Sequence, residues 1–63
     1  MPLYISKFRV FRKGYARRRI LYPESFLPGV VTEYIIAADA QEAAELSRGP
    51  RRYPLGVELV AEL

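Results

Sequence analysis

Neither cysteine nor histidine occurs in this chain, so no disulfide and no ordinary zinc site can hold its fold together. That matters because the chain has only 63 residues. A domain of about 60 residues buries only about 60% of the surface its unfolded chain exposes. Ordering each residue costs about 1.5 kcal/mol, and in small scaffolds burial and entropy come out nearly equal. With staples removed, self-association (a homodimer) or folding against a larger partner is the remaining route to stability. One domain over residues 1–63, with one core, is expected.

Hydrophobic residues make up 51% of the chain, with five Tyr and three Phe, which is too apolar for a disordered tail. Strictly apolar runs such as Ile35-Ile36-Ala37-Ala38 are four residues long, whereas a membrane span needs about 20. Lys7, Arg9 and Arg12 precede any apolar run, so no signal peptide is expected. The chain starts at Met1 and reads as a complete short protein of the cytoplasm. Arg outnumbers Lys eight to two, and Asn and Trp are absent. A thermophilic source and a GC-rich genome explain that bias equally well.

Charge is segregated along the chain. Residues 1–22 carry seven bases (Lys7, Arg9, Arg12, Lys13, Arg17, Arg18, Arg19) and no acid. Residues 23–47 carry five acids (Glu24, Glu33, Asp39, Glu42, Glu45) and no base. The remainder mixes Arg48, Arg51 and Arg52 with Glu58 and Glu62. Such asymmetry points to an electrostatic footprint.

Patterning predicts an α+β domain in the order β-β-β-α-β, a basic N-terminal hairpin plus strand-helix-strand, with one helix packed on one face of the sheet. Residues 3–12 alternate as a strand, with Tyr4, Phe8 and Val10 on one side and Lys7 and Arg9 on the other. A three-residue turn, Arg12 to Gly14, with Gly14 at positive φ, returns the chain as a strand over 15–22. In that register Lys7 opposes Arg19 and Arg9 opposes Arg17. Residues 23–29 form a loop. Residues 30–38 are apolar on both parities and read as a central strand. Asp39 caps a helix over about 40–48, whose small-residue face is Ala40, Ala43, Ala44 and Ser47. Gly49 is its stop. Residues 55–63 form a last strand with Leu55, Val57, Leu59, Ala61 and Leu63 on one face. The helix serves as a crossover between the last two strands.

No catalytic constellation is visible, and the chain is expected not to be an enzyme. His and Cys supply the common general base and the strongest nucleophile, and both are missing. Asp39, Glu42 and Glu45 suit capping and the helix dipole better than a metal. The four glycines are too scattered to cradle a phosphate. No cofactor is expected.

The basic hairpin is the feature with a mechanism in it. Like charges opposed on a sheet destabilise by up to about 1 kcal/mol per pair, and phosphates would relieve them. The candidate nucleic-acid-binding residues are Lys7, Arg9, Phe11, Lys13, Tyr15, Arg17, Arg19, Arg51 and Arg52. Phe11 and Tyr15 are placed to stack on unpaired bases. The stretch FRVFRKGYARRR followed by AQEAAEL resembles the small sheet-reading DNA-binding domains of phage-type integrases. That resemblance implies a three-stranded sheet docking on DNA, and this chain carries one strand more than it needs. The leading expectation is a nucleic-acid-binding accessory or regulatory protein that grips the phosphate backbone. The rivals are a protein-binding module, such as a small phage- or plasmid-type inhibitor that meets an acidic host surface, and a structural subunit joined through the C-terminal strand.

Overall fold

A computed structural model describes residues 1–16 and 21–63. Its described elements are strand β1 (Pro2–Val10), a 3₁₀ turn (Pro23–Ser25), strand β2 (Val31–Ile36), helix α1 (Ala40–Leu46) and strand β3 (Arg52–Glu62). The three strands form one antiparallel sheet in the order β2-β1-β3. The domain is α+β, as the patterning predicts, with one helix among the described residues.

An N-terminal hairpin does form, but β1 takes β2 as its partner, with Leu3 opposite Ile36 and Phe8 opposite Val31. The expected return strand over 15–22 is not seen at its described ends. Tyr15 and Ala16 belong to a turn, and Leu21 and Tyr22 to no strand. Arg17, Arg18, Arg19 and Ile20 lie outside the described residues. Lys7 has Thr32 on one side and Gly56 on the other, and Arg9 faces Tyr53; the expected like-charge pairs with Arg19 and Arg17 fall on residues outside those described. Gly14 does take a positive φ, 89°, at the third position of a turn closed by the Tyr15 amide donating to the Arg12 carbonyl at 2.9 Å.

The central strand is β1, not the apolar stretch 30–38. Two apolar parities mark a strand with both faces apolar; they do not show that both are covered. In β2 only Ile35 is buried, while Tyr34 and Ile36 stand open at the sheet edge. Both β2 and β3 run antiparallel to β1, so α1 carries the chain across β1 from one edge to the other.

Helix α1 starts where the sequence says. The Glu42 amide donates to Asp39 Oδ1 at 2.8 Å, closing the N-cap. The helix is short, ending at Leu46, and Ser47 in the αR region follows it. Gly49 is not a left-handed stop, since its φ is not positive; its role is to leave room for Arg52. Ala43 is the buried face of α1, and it meets Tyr4, Ile35, Ala37 and Val57 beneath it. Asp39→Ala should cost about 1 kcal/mol. For a domain this size that is a melting shift of about 4–8 °C, readable by circular dichroism.

The alternation of β3 breaks twice. Its pairing with β1 shifts between Leu3 and Tyr4 and between Lys7 and Phe8, leaving Val60 and Leu55 as extra residues. Val57 and Leu59 therefore sit opposite Ser6 and Tyr4, and Ala61 opposite Leu3. The single apolar face expected for 55–63 is split between the two sides of the sheet.

Candidate nucleic-acid interface

The sheet has one face under α1 and one face that carries no helix among the described residues. Tyr4, Ser6 and Phe8 of β1 are buried and point to the helix side. Leu3, Ile5, Lys7 and Arg9 alternate to the other side. Strand partners share a face, so Lys7 is joined there by Thr32 and Gly56, Ile5 by Tyr34 and Glu58, and Arg9 by Tyr53. Lys7 is exposed, with a small polar residue and a glycine as its cross-strand partners. Tyr34, 66% exposed, stands two pairs along the ladder, the next residue of β2 on this face. The acids Asp39, Glu42 and Glu45 belong to α1 and its cap on the far side.

At the end of the sheet beyond Arg9 lies an aromatic cluster. Phe11 stacks on Phe26 with centroids 4.7 Å apart and meets Tyr53 edge-on at 6.0 Å. The Arg9 guanidinium sits over Phe26, 4.6 Å from the ring centre, and its Nη2 donates to the Leu27 carbonyl at 3.3 Å. Phe11 has no exposed surface. It is a core residue, so its expected stacking on bases is ruled out by burial. The cause is local: β1 ends at Val10, and Phe11 forms an isolated bridge to Phe26 in place of continuing the strand's alternation.

The other candidate bases divide into two groups. Arg51 donates from Nε and Nη2 to the Phe11 carbonyl at 3.0 and 2.8 Å. Arg52 donates to the Ser47 carbonyl at 2.7 Å, pairs with Glu33 at 3.3 Å and lies 4.3 Å over the Phe8 ring. Arg12, which was not a candidate, donates to the Glu24 carbonyl at 2.9 Å. These arginines fasten segments that have no strand partner, which answers the demand that main-chain acceptors be satisfied. Lys7 and Lys13 are exposed, Lys13 within the Gly14 turn, and Tyr15 beside it is 37% exposed. Arg17 and Arg19 lie outside the described residues.

Sequence reasoning passed over Tyr34, because a strand read as central leaves no exposed aromatic. Its available signal was the phase of VTEYII, which puts Tyr34 opposite in parity to Ile35. A cleft of about 150 Å³ opens on the helix side, lined by Phe8, Ala44, Ser47, Arg48, Arg52 and Pro54. It is smaller than the several hundred Å³ usual for small-ligand sites. Among the described residues no helix is long and apolar enough to cross a membrane.

No family model, curated protein or solved structure matches this chain. The likeness to integrase domains therefore stays at the level of residue pattern.

Proposed function

We propose that this chain is a non-enzymatic nucleic-acid-binding protein, acting as a homodimer, and that its ligand is single-stranded. The observation that carries the reading is the sheet face with no helix among the described residues, where exposed Lys7 lies two pairs along the ladder, the next on that face, from the exposed ring of Tyr34. An open sheet that pairs a cation with an aromatic platform suits a flexible strand: the ammonium meets phosphate and the ring stacks on a base. Lys13 adds an exposed cation beyond the end of β1. Duplex DNA offers no unstacked base to Tyr34, so it should bind less tightly.

The test is fluorescence anisotropy with single-stranded and duplex oligonucleotides over a salt series. The single strand should bind with an affinity that falls log-linearly with salt. Tyr34→Ala should weaken binding about tenfold, the scale of one stacked base. Lys7→Glu should flatten the salt dependence by about one phosphate contact. Absence of binding at low salt would remove nucleic acid as the partner. Binding that ignores salt would move the assignment to a protein surface meeting Tyr34 and Ile36.

A further inference from the structure

The chain is less compact than its size requires. Its accessible surface is 4645 Å² for 7.2 kDa, where the scaling for folded monomers gives about 4,100 Å². Its radius of gyration is 12.7 Å, where 63 residues give about 10.6 Å. The excess of about 500 Å² per copy amounts to about 1,000 Å² for a pair, the lower bound for a specific interface. The longest uncovered feature among the described residues is the outer edge of β3, Arg52–Glu62, which has no strand partner there. Near its start the Arg52 amide is given to the Gly49 carbonyl and Pro54 has no donor, so the stretch open to pairing runs from Leu55 onward. Leu55, Leu59, Val60 and Leu63 along and beyond it are 49–68% exposed.

We infer that β3 pairs antiparallel with β3 of a second copy, about a two-fold axis through Val57, to make one six-stranded sheet. The inference rests on the homodimer part of the reading above and is independent of the ligand. The register follows from which face each residue occupies, because residues directly opposite in a sheet share a face. Arg52 and Glu62 both lie on the helix side, opposite Val10 and Pro2 of β1, and Tyr53 and Ala61 both lie on the open side, opposite Arg9 and Leu3. Centring on Val57 brings Arg52 against Glu62, Tyr53 against Ala61 and Leu55 against Leu59, each twice. Leucines meet on either side of the axis, while the Arg52 guanidinium stays turned inward on Ser47, Glu33 and Phe8.

The neighbouring registers fail. Centring on Glu58 sets that carboxylate against its own copy, and centring on Val60 sets Glu58 against Glu62. Centring on Leu59 would oppose Val57 on the helix side with Ala61 on the open side, which the pleat forbids. Pro54 withholds a donor, as edge-strand prolines do, but it lies off the axis. A two-fold normal to the sheet keeps both helices on one side and both Lys7–Tyr34 surfaces on the other.

Because the chain has no cysteine, an engineered one reports its own neighbours without background. Residues paired across an antiparallel ladder have Cα atoms about 4.5–5.5 Å apart, within disulfide range. Val57→Cys should therefore cross-link to its copy under mild oxidation. Leu59→Cys should not, since its copy lies four residues away along the strand, about 13 Å. Sedimentation equilibrium of the unmodified chain without nucleic acid should give twice the 7.2 kDa monomer mass. Leu59→Glu, at an exposed position, should weaken the dimer about tenfold with an unchanged circular dichroism spectrum, because it sets a carboxylate against Leu55 twice. A monomer at all concentrations, with nucleic-acid binding intact, would overturn the dimer and leave the ligand reading standing. A dimer in which Leu59→Cys cross-links and Val57→Cys does not would overturn the register, and a dimer in which neither cross-links would overturn the strand.

Discussion

Phe11→Ala is expected to leave the chain unfolded, or nearly so, at room temperature. Phe11 is fully buried, stacked on Phe26 and edge-on to Tyr53, at the junction of β1 with the 3₁₀ segment and the start of β3. Truncating a buried Phe to Ala costs about 3–5 kcal/mol in transfer and cavity terms together. A chain of 63 residues carries about 3–9 kcal/mol of total stability. The two ranges overlap, and no disulfide sits elsewhere to hold the remainder. The main-chain bonds at this position survive the change: the Phe11 amide still donates to Arg51 and its carbonyl still accepts from the Arg51 guanidinium. The loss is therefore one of packing. Phe11→Leu, which keeps most of the volume, should stay folded and forfeit about 0.5–1.5 kcal/mol of ring–ring contact. Thermal melts of the two variants check this. A Phe11→Ala melt within a few degrees of the parent would show that the aromatic cluster is peripheral to stability.

The same residue marks where sequence reading stops working here. Alternation over residues 3–10 gave the right strand and the right buried side, because Tyr4, Ser6 and Phe8 face the helix. Extending that alternation to Phe11 placed it on the outside with Lys7 and Arg9. Parity holds only while the strand is continuous, and β1 ends one residue earlier. The partner that buries Phe11 is Phe26, alone in a loop of prolines and glycine, and nothing local says that such a ring plugs a core. The two bulges in β3 defeat period-two reasoning in the same way. Helix α1 was legible because its cap is a local hydrogen bond between neighbours in sequence. The candidate site was half legible. Charge segregation pointed to the first strand, but which arginines remain available depended on carbonyls far away in the chain. Arg51 reaches Phe11 across 40 residues, and Arg52 is held by Ser47 and Glu33. A run of arginines looks like an anion surface in one dimension; folded, several of them tie loops together.

Arg52 is the clearest of those ties, and Arg52→Ala should destabilise the domain by about 2–3 kcal/mol, the range for losing a charged donor to a part-buried acceptor. Its guanidinium joins three elements at once: the Ser47 carbonyl at the end of α1, Glu33 in β2 and the Phe8 ring in β1. The ion pair is about one-third exposed on each side, so solvent screens it and it adds less than about 1 kcal/mol. Most of the effect comes from the carbonyl and the ring. Arg52→Lys keeps the charge but not the planar fork, so it cannot serve carbonyl and carboxylate together and should recover only part of the loss. A second substitution isolates the path of the side chain. A Cβ added at Gly49 would lie 2.9 Å from Arg52 Cδ, and 3.1 and 3.2 Å from Nε and Cγ. Gly49→Ala must push the arginine off its seat, although Gly49 has no need of a left-handed backbone. It should therefore lower stability in the wild-type chain and have little further effect once Arg52 is alanine. Urea titrations of the two single variants and the double variant form a thermodynamic cycle for this coupling. Additive losses would mean that Gly49 is required for another reason, and that Arg52 does not depend on the space it leaves.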